Sequence, residues 1–302
     1  MHKILTSNLP TLIFLFSFAV ITCLLKYWDW STKRSNKKSP LTQDLLRAPG
    51  ESLVLKINDM TIDILMYMTF ILIFPMMLCM FLLSQYAFSH KLPSNFTFIL
   101  FGVIFIVGMS YLVFKLYQQL KLRRMHRLGL EAEMAVGQEL NLLMRQGYWV
   151  FHDFPADNFN IDHIVIGTNG VFAVETKGRP KRHDKNGKVE AKVAFDGTRL
   201  VFPGWSERKP VEQAKRQAKW LQDWLTKAVG QHISVQSVLA LPGWYIERST
   251  QSDLSVINGK NCGLVFDKLG RESLSEELVN QIKYQIDLKC RTVTTRSYKS
   301  SS

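Results

Sequence analysis

An acidic residue and an acid–lysine pair lie on two segments that the sequence predicts to be neighbouring strands. Asp162 falls at the start of the first segment, and Glu175 and Lys177 fall near the end of the second. Alternating apolar residues and a short Gly/Asn-rich connection predict an antiparallel hairpin, which would bring the three side chains together. Glu175 and Lys177 are separated by one residue and therefore project to the same face of their strand.

These residue types suit metal-assisted hydrolysis of a phosphodiester. Hard carboxylate oxygens hold a divalent cation that polarises the phosphate and lowers the pKa of a bound water. Asp162 and Glu175 would supply the oxygens, and Lys177 would stabilise transition-state charge or help to deprotonate the water. An acid from a neighbouring helix would complete or orient the metal shell. Charges at a strand end can equally lie in solvent without a chemical role, and spacing alone does not separate the two interpretations.

A helix and three strands must position these side chains. Helical spacing of apolar residues predicts a helix over 130–146, whose acids would ordinarily face solvent. His163 projects to the face opposite Asp162 and is predicted to be a packing or hydrogen-bonded residue rather than a ligand. The strands are predicted at 148–152, 160–166 and 171–178.

A basic insertion separates these strands from the C-terminal elements. Hairpins are predicted in it at Lys188–Phe195 and Arg199–Phe202; they could track a phosphate backbone or form an exposed insertion without that role. The polar tail, Arg291–Ser302, is predicted to be disordered. The remaining predicted elements are a helix at 211–228, strands at Ile233–Leu241 and Cys262–Phe266, and a helix at Leu274–Ile286.

Three apolar runs precede the soluble part: Thr11–Leu25, Ile64–Leu83 and Phe96–Phe114. A hydrocarbon core of roughly 30 Å needs about 20 apolar residues in a helix, and the second and third runs reach that length. The first reaches it with the residues before it, and it ends in an aromatic and charged band typical of headgroup level. A cleaved signal peptide is the alternative for the first run, although here the charges follow the apolar stretch.

Lys and Arg residues set the predicted orientation. They are frequent in segment 26–60 and directly after residue 114, whereas the stretch Ser84–Asn95 contains only Lys91. Positive residues favour the cytoplasmic side. We therefore predict a multi-pass protein of the inner (cytoplasmic) membrane, with the N-terminus outside and everything after residue 114 in the cytoplasm.

Overall charge and cysteine content narrow the function further. The formal net charge is +13, most of it after residue 114, which suits a nucleic acid or an anionic membrane face but also an ordinary soluble surface. The four cysteines are far apart in the chain, which argues against a CxxC metal clip and a disulfide framework. No acid lies in the middle of an apolar run, which argues against a transporter.

Three sequence blocks together resemble a known family. They are Gly129-Leu130-Glu131-Ala132-Glu133, Asn160–Gly167 with Gly170-Val171-Phe172, and Glu175-Thr176-Lys177-Gly178. They resemble the nuclease-related domain family, NERD, which is similar to the PD-(D/E)xK restriction-endonuclease-like superfamily. The resemblance covers about residues 127–245. It implies a metal site for Mg²⁺ or Mn²⁺ at Asp162 and Glu175, a catalytic Lys177, and Glu133 as an accessory acid at the metal.

Two positions depart from the family pattern. The glycine of the family's Gly-Glu pair is Ala132 here, which leaves the choice between Glu133 and Glu131 open. Gln213 matches the glutamine of the family's Asn-Pro-x-x-Gln block, with Lys209 in place of the asparagine. The resemblance implies that Gln213 is an active-site amide that orients substrate or a metal-bound water; the alternative is a polar residue in the first turn of a helix.

The predicted protein is thus α/β, with N-terminal transmembrane helices and a restriction-endonuclease-like domain whose central mixed sheet is flanked by helices. Its predicted function is metal-dependent hydrolysis of cytoplasmic DNA or RNA at the membrane. The alternatives are a non-catalytic nucleic-acid- or protein-binding module, and a scaffold whose basic face lies on anionic lipid. The predicted parts are 1–30, a first transmembrane helix; 31–60, a cytoplasmic loop; 61–114, a transmembrane hairpin; 115–128, a basic linker; 129–290, the nuclease-related domain; and 291–302, the tail.

Overall fold

The computed structural model describes residues 16–31, 40, 43–89, 94–181, 190–248, 252–260 and 262–293. The chain divides into two compact units. The first consists of residues 1–42, 60–122 and 295–302, and the second of residues 43–59 and 123–294. Residues 43–59 were predicted to lie in a cytoplasmic loop, whereas they are part of the second unit.

The first unit is built from long helices. Helix α1 comprises residues 16–31; residues 11–15 of the first apolar run lie outside the described residues. Helix α2, Glu51–Ser89, and helix α3, Asn95–Asn141, are long and apolar enough to cross a membrane by length and composition. The second and third apolar runs fall inside them. Residues 115–128 were predicted to be a linker but belong to α3 without a break.

The second unit is centred on a five-stranded mixed sheet in the order β10-β8-β4-β3-β2. Strands β2, β3 and β4 are antiparallel, and β8 and β10 add in parallel. The expected hairpin is present as β3 and β4. The bounds are β2 Trp149–Pro155, β3 Asn160–Gly167, β4 Gly170–Thr176, β8 Val235–Ala240 and β10 Leu254–Ile257.

Helices cover both faces of this sheet. Alternate side chains of β4 project to opposite faces, and all of them are buried. Val171 and Ala173 pack with α4 and α6, whereas Phe172 and Val174 pack with α3 and α5. A strand that is buried on both faces lies in the centre of an α/β domain. The helices are α4 Lys209–Val229, α5 Cys262–Leu269 and α6 Glu276–Cys290, and a 3₁₀ turn, Leu142–Gln146, follows α3.

A second, four-stranded sheet has the order β7-β6-β5-β9. Its strand β9 returns from beyond α4 and pairs in parallel with β5, a long-range partner that the predicted hairpins did not include. Residues 182–189, which contain the start of the predicted Lys188–Phe195 strand, lie outside the described residues. The bounds are β5 Lys192–Phe195, β6 Leu200–Phe202, β7 Trp205–Glu207 and β9 Tyr245–Arg248.

Two further predictions are wrong. Cys262–Phe266 was predicted to be a strand but lies in α5; Cys262 and Phe266 are buried while Leu264 is exposed, which is the i, i+4 pattern of a helix. Within the predicted disordered tail, Arg291–Val293 forms strand β11, which pairs with β1, Leu45–Leu46. The tail from residue 294 onward lies outside the described residues.

Candidate active site

Asp162 and Glu175 occupy opposed positions at the end of the β3 and β4 hairpin. The antiparallel register pairs His163 with Val174, so that the next position outward on each strand is Asp162 on β3 and Glu175 on β4. Here the backbone N–H of Thr176 donates to Asp162 Oδ2 over 2.6 Å. The side chain of Asp162 is thereby fixed against the neighbouring strand, while the residue remains partly exposed.

Lys177 lies on the same face as Glu175, as strand alternation predicts. Its Nζ is 2.5 Å from Glu175 Oε1, and its backbone N–H donates to Ala240 O over 2.9 Å. Glu175 is buried, and its Oε2 has no hydrogen-bond partner among the described residues. One carboxylate therefore presents a paired oxygen and a free oxygen at the same point.

Helix α3 brings its acid to this strand end through a close backbone approach. A Cβ at Gly178 would lie 2.7 Å from Leu128 O, so only a glycine lets the chain after Lys177 pass this close to the helix. The turn of α3 at that crossing carries Glu133, which is 9% exposed. The side chain of Glu131 is 61% exposed and pairs with Arg127 on the surface, so that of the two acids Glu133 is the buried one.

Burial and mutual repulsion raise the pKa values of Glu133 and Asp162. Burial, followed by the negative charges of Asp153 and Glu175, raises the pKa of Glu133 to about 8. Desolvation, followed by the charges of Glu175 and Glu133, holds the pKa of Asp162 well above its usual range. Three carboxylates near one lysine thus leave the site short of positive charge, a situation that a bound cation would relieve.

The donor set fits a hard divalent cation bound by few protein ligands. Among the residues that the structure describes, no group of three or more His, Cys, Asp or Glu side chains is arranged so that it could hold a metal ion. Mg²⁺, however, keeps several waters and is commonly held by one or two carboxylates together with substrate phosphate. Asp162 and the free Oε2 of Glu175 match that demand, with Glu133 beside them.

Gln213 is half-buried in the first turn of α4, and no hydrogen bond joins it to the carboxylates within the described part of the chain. Gln217, one helical turn later, is buried and donates from Nε2 to Asn160 O over 3.1 Å. It thereby fixes the start of the strand that carries Asp162. Sequence reasoning missed Gln217, although its i, i+4 spacing from Gln213 placed it on the same helix face.

His163 is a core residue, as predicted. It is fully buried, and its Nδ1 lies 2.9 Å from Nδ1 of His152. Nε2 of His152 lies 2.9 Å from Asn141 Oδ1, so His152 donates from Nε2, and His163 donates from Nδ1 to His152. Burial lowers the pKa of His152 to about 4 and holds that of His163 well below its usual range. The pair supports the sheet on the face opposite Asp162.

Three basic side chains in the described part of the insertion lie in ion pairs. Lys192 contacts Glu247, and Arg199 contacts Asp196, on the surface of the four-stranded sheet. Arg179, which follows Lys177 closely in the chain, pairs with Glu207. These three side chains are therefore less available to a phosphate backbone than unpaired ones would be.

Comparison with known proteins completes the description of this site. No curated protein and no solved structure is significantly similar to the chain. The family model described as nuclease-related domain, NERD, matches residues 128–242. This range contains every predicted site residue, so the similarity to the nuclease-related domain covers the whole candidate site.

Proposed function

We propose that this protein is a membrane-anchored, Mg²⁺- or Mn²⁺-dependent nuclease that hydrolyses phosphodiester bonds of cytoplasmic DNA or RNA. The observation that carries the proposal is the convergence of Asp162, Glu175 and Lys177 at one strand end beside Glu133. Such a set recurs where a phosphodiester is cut with a metal-activated water. The match to a nuclease-related domain supports the same reaction class.

Each side chain has a role that follows from its position. Asp162 and Glu175 would hold the metal ion, which when bound supplies a water of lowered pKa and a Lewis acid for the phosphate. Glu133 would complete or orient the ligand shell from the side of α3. Lys177 would place its ammonium against the negative charge that develops on the phosphate oxygens. Gln213 would orient substrate or a bound water from the start of α4.

Lys177 must leave Glu175 Oε1 for this role. The Lys177 ammonium neutralises the buried Glu175 carboxylate, and this pair would weaken if Glu175 also held a divalent cation. The released ammonium would then face the phosphate at the same strand end. The lysine would therefore compete with a metal ion for Glu175.

The apolar stretches of α2 and α3 would anchor the protein in the bilayer. Both helices meet the length and composition of a membrane span, and the excess of Lys and Arg after residue 114 favours a cytoplasmic location for the nuclease-related domain. Several of the positive residues on which the orientation depends, including Lys33, Arg34, Lys37, Lys38 and Lys91, lie outside the described residues.

A non-catalytic binding module is the second candidate, favoured by the Lys177 to Glu175 ion pair. In such a module the pair would be a permanent substitute for the metal, and the site would bind nucleic acid or protein without cutting it. The two candidates differ in whether a divalent ion displaces the ammonium.

The test is cleavage of single- and double-stranded DNA and RNA by the full chain in detergent, with Mg²⁺, Mn²⁺ or EDTA. Lys177→Met removes the proposed charge stabiliser, and Lys192→Met removes a surface lysine that is also paired with a glutamate. The nuclease predicts metal-dependent cleavage that Lys177→Met abolishes and Lys192→Met preserves. Nucleic-acid binding without cleavage in every metal would favour the binding module.

A further inference from the structure

Residues 43–59 are attached to the nuclease-related domain at several points, although they lie about 70 residues before the matched range. Strand β1 pairs with β11 at the far end of the chain, and the N–H of Arg47 donates to Cys290 O over 3.1 Å. Directly after this strand the chain turns at Pro49-Gly50 and enters α2. Segment 43–59 is therefore structurally integrated into the domain.

The Asp153 carboxylate holds this segment, and both of its oxygens accept hydrogen bonds. Its Oδ2 accepts from the Arg47 guanidinium and from the backbone N–H of Ser52, and its Oδ1 accepts from Ser52 Oγ and Asn160 Nδ2. Asp153 is 1% exposed, and its φ of 48° is a left-handed conformation that Asp and Asn adopt more readily than other residues. A buried charge with this many partners fixes what it binds.

The Pro49-Gly50 turn, which Asp153 holds in place, packs closely against α3, the helix that carries Glu133. Gly50 has a φ of +72°, and a Cβ there would lie 2.5 Å from Leu130 Cδ1 and 3.4 Å from Glu133 Oε2. One turn further along α3, a Cβ at Gly137 would lie 2.6 Å from Pro49 Cγ. The Pro49-Gly50 turn therefore packs directly against the side chain of Glu133.

We propose that Arg47, Ser52 and Asp153 are positioning residues, which hold the Pro49-Gly50 turn so that the Glu133 carboxylate is confined to the site. The inference rests on the proposed function in that Glu133 matters for metal binding. It adds that the site is completed by a segment outside residues 128–242, contributed by the chain just before the apolar stretch of α2. A displaced turn would let Glu133 rotate away while the sheet that carries Asp162 stays folded.

The sharpest test compares Gly50→Ala with Gly147→Ala in the full chain. Both glycines have positive φ, but a Cβ at Gly147 meets nothing within 4 Å, whereas one at Gly50 meets Leu130 and Glu133. Both variants carry the same backbone strain, so their difference reports the contact alone. The readouts are Mn²⁺ binding, followed by the paramagnetic resonance of free Mn²⁺, and cleavage kinetics at a temperature where both variants are folded.

We expect Gly50→Ala to weaken Mn²⁺ binding by about 10-fold or more, as the loss of a group that orients a ligand does, and to lower kcat with little change in KM. Gly147→Ala should leave both unchanged. Equal Mn²⁺ affinities in the two variants would overturn the inference. A wild-type chain that binds Mn²⁺ without cleaving would contradict the nuclease but leave this comparison intact.

Hydrogen exchange on Asp153→Asn gives a second, metal-independent test. Asn keeps the left-handed backbone and loses the charge that pairs with Arg47. We expect faster exchange in 43–59 and, with it, in the α3 segment around Glu133. Arg291 lies on β11, the strand that pairs with β1, and forms a surface ion pair with Asp287 of α6. Arg291→Ala removes this pair and should change the exchange of neither segment. Faster exchange in 43–59 alone would overturn the inference, whether or not the wild-type chain binds metal.

Discussion

Lys177 Nζ lies 2.5 Å from Glu175 Oε1, while Oε2 of the same buried carboxylate has no partner among the described residues. The ammonium pairs with one oxygen of this carboxylate and leaves the other open. It compensates the charge of Glu175, since a buried carboxylate without a counter-charge is costly. In the proposed reaction the same ammonium would stabilise negative charge on the phosphate.

Replacing Lys177 with Met should separate these two roles. Cleavage should fall by about 100-fold or more, the usual effect of removing one charge that stabilises a transition state. Mn²⁺ should bind at least as tightly as to the wild type, because its competitor for Glu175 is gone. Parallel Mn²⁺ titration and cleavage rates measure both effects, with Lys192→Met as the control. Loss of Mn²⁺ binding in Lys177→Met would contradict the competition between lysine and metal.

The raised pKa of Glu133 predicts that the free energy of unfolding in EDTA falls as pH rises. Burial and neighbouring acids raise its folded pKa to about 8 from an ordinary value of 4.5, so the folded chain keeps a proton that the unfolded chain has lost. Its contribution to the free energy of unfolding is therefore fully present below pH 4.5 and is lost as pH rises through about 8.

Urea unfolding of wild type and Glu133→Gln between pH 5 and 9 measures this contribution. The amide cannot ionise, so the variant should gain on the wild type by a few kcal/mol across the range, at about 1.4 kcal/mol per pKa unit. With Mg²⁺ present the wild type should instead gain stability on Glu133→Gln as pH rises, because the ionised carboxylate then meets a cation. A constant difference between the two proteins at all pH values would contradict the raised pKa of Glu133.

The buried histidine pair predicts two different tautomers. Nitrogen-15 spectra should show a proton on Nε2 of His152 and on Nδ1 of His163, because Asn141 Oδ1 accepts from the first ring. Neither ring should take up a second proton above about pH 5, given that burial lowers the pKa of His152 to about 4. A titration of either ring near pH 6.5 would contradict the pairing.

Membrane anchoring predicts opposite accessibility at two serines. In a chain with Cys23→Ser and Cys79→Ser, an impermeant maleimide should label Ser94→Cys in intact cells and reach Ser206→Cys only after permeabilisation. Both serines are exposed, so that neither result reflects burial. Cys262 and Cys290 are buried and should stay silent. Equal labelling at both positions before permeabilisation would contradict the proposed orientation.

The placement of the candidate site residues on the hairpin was predictable from sequence. Alternation in β4 placed Glu175 and Lys177 on one face, and the Gly/Asn turn at 167–170 set the register that opposes Asp162 to Glu175. Short-range rules suffice there because the hairpin is contiguous in the chain. The difference in burial between Glu133 and Glu131 was not predictable, since it depends on the close approach of Gly178 to α3.

Long-range pairing was not predictable in the same way. β1 pairs with β11, and Arg47 reaches Asp153, across more than 100 residues; no local periodicity records such contacts. The segment 43–59 was accordingly assigned to a loop. Cys262–Phe266 was predicted to be a strand because a short apolar run has no periodicity long enough to separate strand from helix.

Metal-dependent cleavage at Asp162 and its neighbours is tested by the Mn²⁺-dependent cleavage rate of the full chain, measured beside that of Asp162→Asn. The wild type should cleave DNA or RNA in Mn²⁺ and not in EDTA. Asp162→Asn should remain folded, still bind nucleic acid and not cleave. Equal cleavage by the two proteins, or cleavage that persists in EDTA, would contradict the proposed nuclease.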